Sequence, residues 1–222
     1  MMLLIKRANK YFPTIEKILA EEGIPADLKY LSVIESGLEN VISPSGAKGI
    51  WQIMRTTGRE YGLEVNSNVD ERFHLEFSTR MAAKYLKKAR DKFGSWTLAA
   101  ASYNRGISGI QRKLNTQKVD SYFDLKLGQE TSRYVFRVLA VKEIIENPPK
   151  YGYVFDNSDL YSNVPVRYHG LDTAIPNLAT FAQRMGVNYK ILKIHNPWLL
   201  QNHLNNRSRK YYEIAIPERG YY

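Results

Sequence analysis

The chain has 222 residues, 32 of them basic and 22 acidic, for a net charge of +10. With 44% apolar and 24% charged residues it has the make-up of a globular protein, which excludes a disordered chain and allows a large domain with a small companion. It has no cysteine, which excludes a disulfide framework, zinc–thiolate sites and a thiol nucleophile, and no apolar run reaches transmembrane length. The positive balance points to an anionic partner, whether nucleic acid, a membrane surface or an acidic polymer. The charge is spread evenly without a basic arm, which argues against nucleic acid. Met1 to Arg7 is too short an apolar stretch for a signal peptide. A cytosolic protein and an exported one whose signal lies outside these residues both stay open.

Residues 1 to about 147 read as helical. A first helix carries Phe12, Ile15, Ile18 and Leu19 and ends at Gly23. A second is expected over 24–37, with Pro25 at its first position, Asp27 in its first turn and Gly37 as its stop. On it Leu28, Leu31, Glu35 and Leu38 fall at i, i+3, i+7 and i+10, a single stripe. Glu35 thus interrupts an apolar face, and it does so in a last turn, where the helix dipole disfavours negative charge. Burial and dipole both penalise the ionised form, so a raised pKa is expected, as a general acid working near neutral pH requires. Lys48 and Arg105 are the cations placed to pair with it if its role is only structural.

The composition of 43–49 forbids regular structure. A helix to about Tyr61 follows, then a polar stretch from Glu64 to Glu71 and a long amphipathic helix carrying Phe77, Met81, Ala82, Tyr85, Leu86 and Ala89, ended by Gly94. Trp96 to Tyr103 is small and apolar, which suits a helix packed closely in a core, and Trp51 and Trp96 read as core residues. The last helix of this region covers about Glu130 to Glu146, before Asn147-Pro148-Pro149. Residues 150–163 read as a linker or long loop. A small α+β unit follows, with a strand over 164–168, a helix over 175–185, a second helix over 188–195 capped by Asn188, and a strand over 211–216. His74, His169, His195 and His203 show no metal-ligand spacing.

Four segments in order carry a specific resemblance: Glu35-Ser36-Gly37, Ser43-Pro44-Ser45-Gly46-Ala47-Lys48-Gly49-Ile50-Trp51-Gln52, Ala101-Ser102-Tyr103-Asn104-Arg105-Gly106, and Glu130-Thr131-Ser132-Arg133-Tyr134-Val135. Together they resemble the catalytic domain of soluble-type (SLT) lytic transglycosylases, which has a lysozyme-like fold. Leu28 to Gly37, the Trp51-Gln52 pair and Val69-Asp70-Glu71-Arg72-Phe73 are similar to the membrane-bound lytic transglycosylase D branch. The C-terminal unit resembles a LysM module at Leu171-Asp172-Thr173, Gly186-Val187-Asn188, Asn196-Pro197 and Ile214-Ala215-Ile216-Pro217, with a long 199–210 insertion.

The resemblance implies a mainly α fold: a lysozyme-like catalytic domain over 1–150, a linker over 151–163 and a small α+β LysM-like module over 164–222. It implies non-hydrolytic cleavage of the MurNAc–GlcNAc bond of peptidoglycan, with Glu35 as catalytic acid and base. Ser43, Gln52, Tyr103, Asn104 and Tyr134 are then substrate-binding residues, and no metal or cofactor is needed. The implied partner is the glycan strand and not nucleic acid. The implied state is a monomer in the periplasm or outer cell envelope, reaching a membrane only through a segment missing at the N-terminus. A single carboxylate suffices because the nucleophile belongs to the substrate, whereas hydrolysis needs a second one, for which Glu39, Glu64, Asp70 and Glu71 are available. A goose-type lysozyme and an inactive peptidoglycan-binding protein are the competing readings. The C-terminal module is either a binder of N-acetylglucosamine polymers or a buttress.

Two positions depart from the family pattern. Arg105 stands where alanine is usual, either to contact an anionic stem peptide or to point to solvent. His74 stands where aspartate is common, which leaves the pairing of its neighbourhood open.

Overall fold

Three consecutive alanines, Ala99 to Ala101, let two helices approach closely at the centre of the larger core. The computed structural model describes residues 1–218. The expected 164–222 unit therefore has its last four residues outside the described ones. The helices of the larger part are α1 (Met2–Glu21), α2 (Tyr30–Ser36), α3 (Arg55–Glu60), α4 (Leu75–Phe93), α5 (Trp96–Arg105), α6 (Ile107–Gln117) and α7 (Gln129–Glu146). Central α4 buries Met81, Ala82, Ala83 and Leu86 against α1, which supplies Phe12, Ile15 and Leu19, and against the small residues of α5. Trp51 is fully buried and donates its indole N–H to Thr79 Oγ1 at 2.9 Å, so its polar atom is satisfied within the core. Helix α6 was not singled out in the sequence. It buries Ile110 and Leu114 with Leu98, Tyr122 and Leu125 in a satellite cluster.

The segment expected as one helix over 24–37 is two pieces. A 3-10 turn at Ala26–Lys29 precedes α2, and Lys29 is buried with its ammonium on Glu16 at 2.5 Å. The tighter turn sets the entry to α2, which is only seven residues long. Phe77 is not on the buried face of α4. It is 44% exposed and stacks on His74 with ring centroids 4.2 Å apart.

Beyond two short 3-10 turns at Pro148–Tyr151 and Asn157–Asp159, the C-terminal unit holds β1 (Val166–Leu171), α8 (Leu178–Arg184), α9 (Tyr189–His195) and β2 (Tyr212–Pro217). The strands pair antiparallel, from Val166 opposite Pro217 to Leu171 opposite Tyr212. β1 lies later than its sequence pattern predicts, because pairing with β2 rather than alternation of side chains fixes it. Helix α8 also starts later: Ile175 bridges to Leu204, and Asn177 caps the helix by accepting from the Ala179 and Thr180 amides at 2.8 and 3.0 Å. Asn188 caps α9 as expected, accepting from the Ile191 amide at 2.9 Å.

The polar stretch from Glu64 to Glu71 is no mere connector. Val69 and Phe73 belong to the core of the C-terminal unit, beside Leu178, Leu192, Leu199, Ile214 and Ile216. The backbones are sewn together by Asp70 N–H to Trp198 O and Leu200 N–H to Asn68 O, both 2.9 Å. Asn68 gives its side-chain amide to His203 O and accepts from the Asn205 amide. Lys210 reaches Glu64 at 2.8 Å and Glu71 at 2.6 Å, and Tyr212 donates to Glu64 at 2.9 Å.

Candidate active site

Glu35 sits in the last turn of α2, where Gly37 (φ 65°) and Leu38 (φ 60°) turn the chain away. Only glycine enters that left-handed region without strain, which is why Gly37 stops the helix. The end of α2 is anchored by Ser36, whose hydroxyl donates to Ile50 O at 2.7 Å and so joins the helix to the 41–53 loop. Leu28, Leu31 and Leu38 of the Glu35 stripe are all buried.

The Glu35 carboxylate accepts a 2.5 Å hydrogen bond from the Tyr134 hydroxyl of α7, and Tyr134 itself is 2% exposed. Burial pushes the Glu35 carboxyl above its ordinary value, as the sequence predicts. The Tyr134 hydrogen bond opposes the rise, Glu130 adds to it, and Arg137 opposes it more weakly. Among the described residues no cation lies within ion-pair distance of Glu35. Lys48 is on Asp70 at 3.3 Å, and Arg105 is exposed.

Tyr103, near the C-terminal end of α5, is largely buried. Its hydroxyl donates to Trp51 O at 2.9 Å, and its ring meets Tyr85 edge-on at 5.4 Å. Burial, with the Glu35 charge adding to it, raises its pKa well above that of an ordinary phenol, so it is a neutral donor. The next residue, Asn104, donates to Glu130 at 3.1 Å and accepts from Thr131 at 2.8 Å.

Ser43 and Gln52 lie on the 41–53 loop, and neither side chain hydrogen-bonds to Glu35. The Ser43 hydroxyl accepts from the Ala47 amide at 3.0 Å and shares a hydrogen bond with Ser45. Gln52, with φ 47°, donates its side-chain amide to Val41 O and Gly49 O at 3.1 and 2.8 Å. The loop rests on Arg72, which donates to Gly46 O and Ile53 O and is held by a bidentate pair with Asp70 at 2.8 and 2.7 Å. A side chain on Gly49 (φ 80°) would run into the Arg72 carbonyl oxygen. Asp70 thus pairs with Arg72 and Lys48. His74 packs neutral beside Phe77 and Trp198, its pKa lowered to about 4 by burial and by the Lys210 charge.

The four carboxylates offered by the sequence as a second catalytic group are all occupied. Glu39 pairs with Arg7, Glu64 and Glu71 with Lys210, and Asp70 with Arg72. The carboxylate that acts on Glu35 is Glu130, whose role the sequence reading missed. Its i, i+4 spacing from Tyr134 on one helix face is the signal that marks it. Among the described residues no three His, Asp or Glu side chains gather so as to hold a metal ion.

The transglycosylase SLT domain family matches residues 13–124, about half of the chain and the part that holds Glu35, the 41–53 loop, Tyr103 and Asn104. The chain belongs to this family. The soluble lytic transglycosylase C-terminal LysM-like domain matches residues 167–220, in line with the resemblance of the second unit. Among relatives of this SLT chain, membrane-bound lytic murein transglycosylase D of Escherichia coli K12 is 30% identical over 219 residues, which are 96% of this chain and 47% of that protein. The chain therefore spans about half the length of that relative. The 70 kDa soluble lytic transglycosylase of Escherichia coli superposes with a TM-score of 0.51 at 23% identity, over 61% of this chain and 24% of that one. Slt of Pseudomonas aeruginosa, solved as an inactive glutamate-to-glutamine mutant, gives 0.51 at 21% identity, over 68% and 26%. These two likenesses carry the fold: mainly α and lysozyme-like, with a small α+β module.

Proposed function

We propose that the chain is a peptidoglycan lytic transglycosylase that cleaves the MurNAc–GlcNAc β-1,4 bond without water and leaves a 1,6-anhydro-MurNAc end. The observation that carries this reading is the state of Glu35: one carboxyl, partly buried, pushed towards its protonated form and held by Tyr134, with no cation among the described residues in ion-pair contact with it. Protonated Glu35 gives its proton to the glycosidic oxygen as the bond from that oxygen to C1 breaks. The MurNAc 6-hydroxyl oxygen then bonds to C1, and its proton returns to the Glu35 carboxylate. Water is not consumed, and the acid is regenerated. Tyr134 orients the carboxyl and stabilises its transient anion. Gln52, whose amide nitrogen is spent on the loop, turns its oxygen to sugar donors, and Ser43 and Asn104 offer further polar contacts along the cleft. Tyr103, a neutral phenol, backs the acid.

In this reading residues 1–150 are the catalytic domain, 151–163 the linker and 164–222 a module that acts as a buttress. The shared core at Val69 and Phe73 supports the last point. The substrate places the protein in the periplasm or outer cell envelope, in keeping with the murein-directed, membrane-bound relative.

Goose-type hydrolysis is the competing reading, and Glu130 favours it as a carboxylate whose charge reaches Glu35. Its commitment to Asn104 favours a structural role instead. Digestion of peptidoglycan in heavy-oxygen water decides between them. Transglycosylation leaves the new MurNAc ends unlabelled and anhydro, whereas heavy oxygen at C1 would mean hydrolysis.

A further inference from the structure

Arg105, the departure from the family pattern, is part of a built feature. It lines a pocket of about 530 Å³ together with Asn104, Gly109, Arg112, Lys113, Glu130 and Thr131. Gly109, Arg112 and Lys113 fall at i, i+3 and i+4 on one face of α6. At Gly109 a Cβ would sit 3.0 Å from Arg105 Cγ, so the absent side chain leaves room for the arginine stem to lie close against the helix. Three cations thus face one pocket that holds a single carboxylate, Glu130, itself bonded to Asn104. Among the described residues no carboxylate is within ion-pair distance of Arg105, Arg112 or Lys113, so the charge of all three is available to the pocket. The pocket also neighbours Glu35 through Glu130. Its floor is Asn104, Thr131 and Glu130, and Glu130 lies one turn from Tyr134 and acts electrostatically on Glu35.

We propose that this pocket binds the carboxylates of the stem peptide carried by the glycan strand, which makes it a specificity site for peptide-bearing substrate. The inference rests on the transglycosylase reading above and extends it from the sugar to its peptide. A concave site with two guanidinium forks and an ammonium suits carboxylate groups, which arginine grips in bidentate fashion. It is too small and too local to be the footprint of a nucleic acid, which needs a basic stripe. The bond to the lactyl group ties the peptide to the MurNAc ring, so a peptide site has to lie beside the catalytic carboxyl, as this pocket does.

The test is calorimetric titration of the Glu35→Gln protein, which holds substrate without turnover. Two soluble glycan fragments of equal length are used, one with its stem peptides and one from which they have been removed. The expected result is that the peptide-bearing fragment binds about tenfold more tightly, the scale of a charge-assisted contact. Adding R105Q, R112Q and K113Q together removes that difference and leaves the affinity for bare glycan unchanged. Equal binding of the two fragments, no binding of either, or a preference that survives the triple substitution would overturn the proposal. Cleavage of intact peptidoglycan by the native chain is measured in parallel. Peptide-dependent binding without cleavage would overturn the enzymatic reading alone, and cleavage without peptide-dependent binding would overturn the pocket alone.

Discussion

Two neighbours pull on Glu35 in opposite senses, which makes its acid strength adjustable at single residues. Tyr134 donates to the ionised carboxylate and so lowers its pKa, and the charge on Glu130 raises it. In the proposed mechanism protonated Glu35 starts the reaction, so activity is expected to fall as pH rises through its pKa, and the alkaline limb of kcat/KM reports that value. Glu130→Gln keeps an oxygen for Asn104 but removes the charge, so the limb moves to lower pH. Tyr134→Phe removes the hydrogen bond, so the limb moves to higher pH, and the rate drops by about ten- to a hundredfold as the carboxyl loses a charge-assisted bond. A pH–rate series on the two variants checks this; limbs moving in the same direction would refute the electrostatic account. The rise at Glu35 was legible from the sequence, because a carboxylate on an apolar stripe is conspicuous. Its magnitude was not, because Glu130 and Tyr134 lie 95 or more residues further along the chain and reach it only through the packing of α7 on α2.

At the scale of elements, the 64–74 segment is the hinge of the design. It carries Arg72 under the 41–53 loop on one side and places Val69 and Phe73 in the C-terminal core on the other. Asp70→Ala strands a buried guanidinium, a loss of about 3–5 kcal/mol for a broken buried pair, read as a fall in melting temperature. Wild-type-like melting would show that the pair does not support the loop. His74 adds a pH dependence. Its pKa lies at about 4 in the fold against 6.5 unperturbed, so the folded state holds fewer protons between those values. Stability present above pH 6.5 is therefore lost as pH falls towards 4. His74→Phe, which keeps the stacking on Phe77, should flatten that part of the melting-against-pH curve, and an unchanged slope would contradict the assignment. The sequence showed 64–71 only as a polar stretch. Asn68, Asp70, Glu71 and Arg72 are polar because they pair with each other and with the second unit while buried, which a pattern of hydrophobicity cannot reveal.

Across the whole molecule, the larger core and the C-terminal core are joined because a single segment contributes to both, Leu63 and Val65 to the first and Val69 and Phe73 to the second. Removing residues 164–222 exposes Val69 and Phe73 and leaves Glu64 and Glu71 without Lys210. The remaining chain should melt at a lower temperature and lose turnover even of short glycans. Unchanged melting and turnover would mean that the module is an independent attachment. The net charge of +10 fits a chain that works along an anionic polymer, with Arg105, Arg112 and Lys113 as the part of that charge that shares a pocket with Glu130. Most of the helices, α6 apart, were readable from periodicity, prolines and glycines, because each is written in local sequence. How the units join was not, since the 199–210 insertion that grips Asn68 looks like any polar loop.

The most direct test of the account is digestion of purified peptidoglycan by the native chain and by Glu35→Gln, with mass spectrometry of the released fragments and a melting curve for each protein. The account predicts anhydro products from the native chain and, from a variant that melts normally, a rate lower by about a hundred- to ten-thousand-fold, the usual contribution of a general acid–base group. Products heavier by one water, or undiminished cleavage by the folded variant, would contradict it.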